Sequence, residues 1–434
     1  MAWMDEILEA RAEPIAQAVL PLVLNGPRWR HRRVISIAPL SGTIVRRRVS
    51  VDFTVPRQFH DRLRLPVEVD ETGAEDQWVV PLGWLARRPL VSFDLKDAEE
   101  RSMPRMLAAQ TSRITRDMLL LAAAEGGLRE GEAERGTQVA DLAIAASAFD
   151  TGRAPSELVA RARALDLGAD FTSLVELSAR GFLLLAVLPG LAGRRVVKWQ
   201  TDEFRRPVRP SFEPLYLDLQ IQGINEAAST HVEMDLPQTL QAASFRLIDR
   251  RVLPDPRADG HSRVKIVPLP QGERQPSTSE EHPRLMLGPV ADAVDPHVGT
   301  DMLIRPGDFV GPALVLIALA ALIVAVGLGS GIHDLEPAER STAPSVLLGA
   351  FSVGFGLFLR AEDNAFVRAL LQPSRAALGA TAAALALAAI PLALRLGRGW
   401  VLGAWIAAAC VIAIAGFVVL ATIMNLTKAG RRLR

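Results

Sequence analysis

The sequence predicts a two-part chain: an α+β and all-β, sandwich-like soluble region, then an α-helical transmembrane bundle of four helices. Two observations carry this. Residues 309–426 are almost continuously apolar, broken by three short polar stretches, whereas residues 1–305 have ordinary charged character. Within the first part, short runs alternate apolar and polar residues at the period of a half-buried strand, and other runs follow the helical period.

Composition narrows the function classes. A length of 434 residues admits two or three domains. The net charge of +1 gives no global pull toward nucleic acid. The single cysteine, Cys410, lies in the last apolar run, so the soluble part holds no disulfide and no thiolate metal site, which fits a reducing cytosol. The start carries Asp5, Glu6 and Glu9 and no basic n-region, so it does not read as a secretory signal. The wealth of Ala, Arg, Leu, Gly and Pro points to a GC-rich, actinobacterial genome. The expected division is a helix over 1–27, an α+β domain over 28–170, an antiparallel β-sandwich-like domain over 171–305, a four-helix transmembrane block over 306–427 and a basic cytoplasmic tail over 428–434.

The elements follow in order. Val49, Val51, Phe53 and Val55 alternate with polar residues, as do Val91, Phe93 and Leu95, and residues 78–80 form a shorter strand candidate. Between 99 and 126 the period becomes helical, with Met103, Met106, Leu107, Ile114, Met118 and Leu121 on one face; helices are also expected over 138–149 and 156–165. Residues 182–188 are an apolar run too short to span and closed by Pro189-Gly190. Strands then recur at 197–199, 215–221, 232–236, 245–248, 264–267 and 285–287. Such short strands with turn-rich joins suggest an antiparallel sandwich. A polar loop is expected over 271–283, and the join to the first span through Asp308 is short.

A helix needs about 20 apolar residues to cross a hydrocarbon core of about 30 Å. Residues 309–332, 341–359, 376–394 and 399–426 supply four such runs, none with a charged residue inside. Ion pumps and proton-coupled transporters usually need an intramembrane charge, so those classes lose weight. Gly327, Gly329, Gly331, Gly349, Gly354 and Gly356 would allow close helix packing or oligomerisation, or simply reflect membrane-helix composition. Placing the tail inside puts Arg305, Arg360, Arg368, Arg375, Lys428, Arg431, Arg432 and Arg434 inside and Arg340, Arg395 and Arg398 outside. Four spans then make the soluble region cytoplasmic and the protein a multi-pass cell-membrane protein. A re-entrant second run would place the soluble region outside.

Three segments resemble a group of uncharacterised actinobacterial membrane proteins with a cytosolic β-rich region ahead of C-terminal spans. They are Ser229-Thr230-His231-Val232-Glu233-Met234-Asp235-Leu236-Pro237, Arg194-Arg195-Val196-Val197-Lys198-Trp199, and the stretch from Arg360 through Glu362, Asp363, Asn364, Phe366, Arg368, Leu370 and Leu371 to Arg375. The resemblance covers roughly residues 45–425, with Thr230 where an aromatic would be expected. It implies the architecture and supplies no activity.

Four constellations are candidate sites. His231, Glu233 and Asp235 share one strand face and could contribute to a divalent metal site, although neighbours on that face lie about 7 Å apart; a solvated strand face is the alternative. Asp292, Asp295, His297 and Asp301 form an acidic cluster without EF-hand spacing. Arg28, Trp29, Arg30, His31, Arg32 and Arg33, with Arg46, Arg47 and Arg48, form basic patches suited to anionic lipid headgroups or a protein partner, with nucleic acid ranked below these. A solvated surface, or pairing with nearby acidic residues such as Asp70, Glu71, Glu75 and Asp76, is the plainer reading and is ranked first. Arg360, Glu362, Asp363, Phe366, Arg368 and Arg375 read as an amphipathic interfacial helix that could couple the soluble region to the bundle.

There is no Walker A motif, nucleotide-binding glycine fingerprint, nucleophile elbow or zinc-protease motif. The expectation is a non-enzymatic, cofactor-free binding, scaffold or sensor module tethered to the membrane. The alternative is a membrane effector or channel gated by the soluble region.

Overall fold

A computed structural model describes residues 2–41, 43–65, 76–87, 90–129, 132–148, 154–204, 215–221, 223, 226–237, 240–249, 265–266, 284–287, 296–304, 310–331, 343–359 and 365–432. Helix α1 (Ala2–Leu24) leads through the short α2 (Gly26–Trp29) into strand β1 (Arg30–Pro39), which turns back as β2 (Ile44–Phe53). A single 3-10 turn and α3 (His60–Leu63) precede β3 (Arg64–Leu65), β4 (Gln77–Ala86) and β5 (Leu90–Lys96). Four helices follow, α4 (Ala108–Glu125), α5 (Ala133–Ser147), α6 (Pro155–Leu165) and α7 (Gly168–Arg180). The chain then returns to strands with β6 (Gly181–Leu188) and β7 (Arg195–Phe204).

These strands form two sheets. The larger has six strands in the order β12-β9-β1-β2-β7-β5, where β9 is Thr230–Met234 and β12 is Arg284–Leu287. The smaller is β3-β4-β6. The expected boundary near residue 170 is crossed by this pairing: β2 lies antiparallel to β7 over its full length, and β1 pairs with β9 in parallel, Arg33 opposite Thr230. A purely antiparallel sandwich confined to 171–305 is therefore replaced by a mixed sheet built from both halves. Strands β1 and β2 bury alternate residues, whereas β4 and β6 are buried almost throughout. Alternation means one face on the core and one toward water; continuous burial means cover on both faces. So β4 and β6 are covered by α1, α4 and α7, and β4 also faces β1 of the six-stranded sheet, with Arg30 donating to Pro81 O and Arg33 lying against Gly83. Residues 102–106 stitch the layers at one edge, with Met103 bonded to Leu95 of β5, and Met106 to Leu185 of β6.

The second half of helix α1 packs on the β-rich body. Ile15, Ala16, Ala18, Val19, Leu20 and Leu22 are buried against α3, α4 and β4. Arg87 ties α5 and α7 together: its guanidinium donates to Ala146 O (2.6 Å), Ala148 O, Ser178 O (2.7 Å) and Gly181 O (3.2 Å). These carbonyls belong to the last turns of two helices, where unsatisfied oxygens and the macrodipole favour a cation.

A four-stranded sheet, β11-β10-β13-β8, touches the apolar helices through β13. It comprises β8 (Leu215–Gln220), β10 (Leu240–Asp249), β11 (Lys265–Ile266) and β13 (Pro296–Ile304). Strand β13 ends at Ile304, and helix α8 (Val310–Gly329) begins six positions later. Then come α9 (Ala343–Leu359), α10 (Ala365–Ala393) and α11 (Arg398–Arg432). Three of these are long and apolar enough to cross a membrane, over Gly311–Gly329, Leu371–Ala393 and Arg398–Ala421. This is the build of a membrane protein, with one fewer such helix than the four expected. The remaining one, α9, has 17 residues.

Helix α10 touches all three of its neighbours, and its apolar stretch is 56% buried against 28% for each of the other two. On α8, α10 and α11, Val315, Leu322, Leu387, Ile414 and Phe417 are each about 60% exposed or more, an arrangement suited to hydrocarbon and not to water. Gly327 of α8 lies directly beneath the indole of Trp405 of α11, and a methyl built on Gly416 would meet Ile317 Cγ2 at 3.5 Å. Rising numbers in α8 thus match falling numbers in α11, so the two run antiparallel. From Ala365 onward, the expected amphipathic segment ending at Arg375 is the first part of α10, which runs on through Pro373 into the apolar stretch; residues 360–364 lie outside the described residues. Its candidate membrane stretch starts at Leu371, five residues before the expected run 376–394, and so takes in Arg375.

Candidate functional site

The most unusual chemistry lies where the N-terminal basic patch meets the sheet junction. Arg30 and Arg33 are 1% and 2% exposed, and Trp29 is 2% exposed. Strict alternation would put residues three apart on opposite faces. The register of β1 on β2 slips between Arg30 and Arg32, leaving His31 as an extra residue. Such a bulge resets the alternation, and both arginines turn inward while Arg28, His31 and Arg32 stay exposed.

Both guanidiniums converge on Glu226, from the connection between β8 and β9. Arg33 Nη1 pairs directly with Glu226 Oε2, and Arg30 Nη1 lies 3.7 Å from the same oxygen. Arg30 also donates to Glu226 O (3.2 Å) and Pro81 O (2.8 Å). The backbone N–H of Trp84 reaches Glu226 Oε1 at 3.4 Å. Two aromatic rings flank the cations: Arg30 lies 4.5 Å from the Trp29 ring centre and Arg33 lies 5.4 Å from that of Trp199. The Trp29 ring is itself fixed by its Nε1–H donating to Leu22 O at 2.7 Å and by an edge-on contact with Phe53.

Three glycines line the cluster. A Cβ on Gly83 or Gly223 would collide with the Glu226 carboxyl group and Arg33, and one on Gly26 would sit 2.5 Å from Glu226 O. Gly83 and Gly223 also have φ of +151° and +74°, which L side chains rarely adopt. The cluster holds two cations and one anion, and burial pushes the Arg30 guanidinium down to about 10, with Glu226 opposing and Arg33 reinforcing the shift. Arg30 Nε and Arg33 Nε are buried and have no hydrogen-bond partner among the described residues.

The second basic patch is spent on cross-strand pairing. Arg46 grips Asp202 through two bonds of 2.8 and 2.9 Å, holding that carboxyl below its usual range, chiefly by the hydrogen bond. Arg47 lies 3.5 Å from Glu203, and Arg48 donates to Gln200 at 3.0 Å. Asp52, held low by its hydrogen bonds with Arg194, continues the outer face. Of the acidic partners expected from the sequence, Asp76 pairs with Arg64, and Asp70, Glu71 and Glu75 lie outside the described residues. Arg48, Asp94, Lys96, Glu100, Lys198 and Gln200 line a shallow groove of about 300 Å³ on the outer face of the six-stranded sheet.

The other expected sites come apart. His231 and Glu233 of β9, and Asp235 just after it, lie on the partly exposed side, while Thr230, Val232 and Met234 are buried. Among the described residues no group of three or more His, Cys, Asp or Glu is placed to hold a metal ion. Asp292 and Asp295 lie outside the described residues, and His297 and Asp301 are in β13, paired with β10 and β8. Arg360, Glu362 and Asp363 also lie outside them. Phe366, Arg368 and Arg375 belong to α10, with Arg368 exposed and Arg375 half-buried. Glu226 was missed from the sequence: it stands alone in Gly223-Ile224-Asn225-Glu226-Ala227, and only the neighbouring Gly223 hinted at a special backbone. Comparison with protein-family models, curated proteins and solved structures gave no match.

Proposed function

We propose that this chain is a multi-pass membrane protein whose β-rich region is a cytosolic binding or sensor module, with the outer face of the six-stranded sheet as its partner surface. The observation that carries the reading is the antiparallel packing of α8 on α11, with Gly327 against Trp405 and Gly416 against Ile317. It brings the start of α8, which follows the soluble region, to the same end of the bundle as the end of α11. An even number of crossings satisfies that geometry, so α9 is assigned as the fourth span. Its 17 residues extend about 25 Å, short of a core of about 30 Å by an amount that local thinning absorbs. Arg368, Arg375, Lys428, Arg431 and Arg432 belong to the end shared with the soluble region, and Arg395 and Arg398 to the other, which favours a cytoplasmic soluble region. The resemblance to actinobacterial membrane proteins belongs to the same proposal.

The test is chemical cross-linking in native membranes followed by mass spectrometry, comparing wild type with an Arg48→Glu/Lys198→Glu variant. Both side chains lie on the outer face, so the fold should persist. A partner cross-linked to the sheet face in wild type and lost in the variant supports the module. Equal recovery, or a turnover activity in the purified chain, contradicts it. A second reading, a channel or effector gated by the soluble region, draws on the direct contact between α11 and β13. Conductance in planar bilayers that changes when that contact is disrupted would favour it.

A further inference from the structure

We propose that Arg30 and Arg33 form an oxyanion site that the chain's own Glu226 occupies as an internal ligand, and that a phosphate group can replace it. The inference deepens the binding-module reading, resting on it only for the existence of a ligand. Charge is the first argument. Two buried guanidiniums face a single carboxylate, and each retains a buried Nε–H without a partner among the described residues. A carboxylate supplies one negative charge and two oxygens; a phosphate supplies up to two charges and a further acceptor.

Placement is the second argument. The cations stand on β1, held between β2 and β9 inside the six-stranded sheet. The anion stands on the connection from β8 to β9, and its side chain keeps 13% exposure, so it can be reached from outside. A fixed pair of cations with its acceptor on a connection is the arrangement expected of an exchangeable ligand. Glycine backbone forms a cradle for the carboxyl group. Gly83 and Gly223 bring backbone against the carboxyl group where any side chain would collide, and the N–H of Trp84 faces Glu226 Oε1. Glycine backbone, an inward N–H and paired arginines are the chemistry that holds phosphate oxygens. Replacement would release the β8–β9 connection, which joins the six-stranded sheet to the four-stranded sheet beside the membrane.

A phosphate can be free in solution or carried by a lipid headgroup, and the experiment separates these. The full chain and its Glu226→Ala variant are placed in phosphatidylcholine nanodiscs, and unfolding midpoints are measured with inorganic phosphate or with chloride at matched ionic strength. A parallel set uses nanodiscs containing phosphatidic acid. Phosphate should raise the midpoint of Glu226→Ala by at least about 3 °C and leave Glu226→Ala/Arg33→Ala unmoved. Rescue only by phosphatidic acid would assign the lipid source, and rescue by inorganic phosphate the soluble one. Rescue by neither, or equal rescue of the double variant, overturns the site. If Glu226→Ala does not fold, hydrogen exchange of wild type decides: phosphate should speed exchange at residues 226–229 at least about threefold, and unchanged exchange overturns the proposal. Intact nanodisc insertion is read separately, so failure here leaves the membrane reading standing.

Discussion

Glu226 is the carboxylate that two buried arginines share. Removing one partner of a buried ion pair leaves an uncompensated charge and typically costs about 3–5 kcal/mol. Glu226→Ala is therefore expected to lower unfolding stability in urea by about 3 kcal/mol without phosphate, far more than removal of an exposed pair such as Arg101–Asp97 would. A loss below about 1 kcal/mol would contradict the buried triad. Asp202 makes a different claim, about pH. Its folded pKa is depressed, chiefly by the hydrogen bond from Arg46, so its contribution is complete above the unfolded value of about 3.9 and is lost as pH falls through the lower folded value. Asp202→Asn should therefore be less stable than wild type at neutral pH, with the gap closing below about pH 4. A gap that is constant with pH would remove Asp202 from the acid limb. Little of this was legible in the sequence. Arg-rich residues 28–33 read as a surface patch because nothing local announces a bulge at His31, and Glu226 lies almost 200 positions away from its partners.

At the scale of elements, legibility followed locality. The helical period from Ile114 to Leu121, the apolar run 182–188 and the alternation at 49–53 correspond to α4, β6 and β2, whereas Met103, Met106 and Leu107, expected on the same helical face, precede α4, with Met103 and Met106 bonded to strands. Pairing was not legible, because β1 finds β9 across most of the soluble chain and only tertiary burial of Ile35, Ile37, Val232 and Met234 selects that register. Arg87 shows how distant elements are then secured. Hydrogen bonds from a charged donor contribute about 1.5–3 kcal/mol net, so Arg87→Ala is expected to cost about 2–3 kcal/mol. Hydrogen exchange should rise first at Ala146, Ala148 and Gly181; a uniform rise across the soluble region would argue against a local tie. The bundle has its own element-level test. In a Cys410→Ser background, Ile317→Cys and Gly416→Cys should cross-link, whereas Gly327→Cys with Gly416→Cys should not. The reverse pattern would mean that α8 and α11 run parallel.

The molecule is a β-rich region followed by apolar helices, and among the described residues β13 precedes α8 in the chain and also touches α11. Hydropathy alone made the membrane block legible, because long apolar helices follow from composition. The number of crossings did not follow from composition: α9 is short by about three residues, and the question turns on which ends of α8 and α11 coincide. The central claim is that the soluble region and the C-terminal tail share one side of the membrane, and that this side is the cytoplasm. Two fusions test it most directly, a compartment-sensitive reporter placed before Met1 and, separately, after Arg434. Cytoplasmic signal from both is the expected result, and signals from opposite sides of the membrane would contradict it.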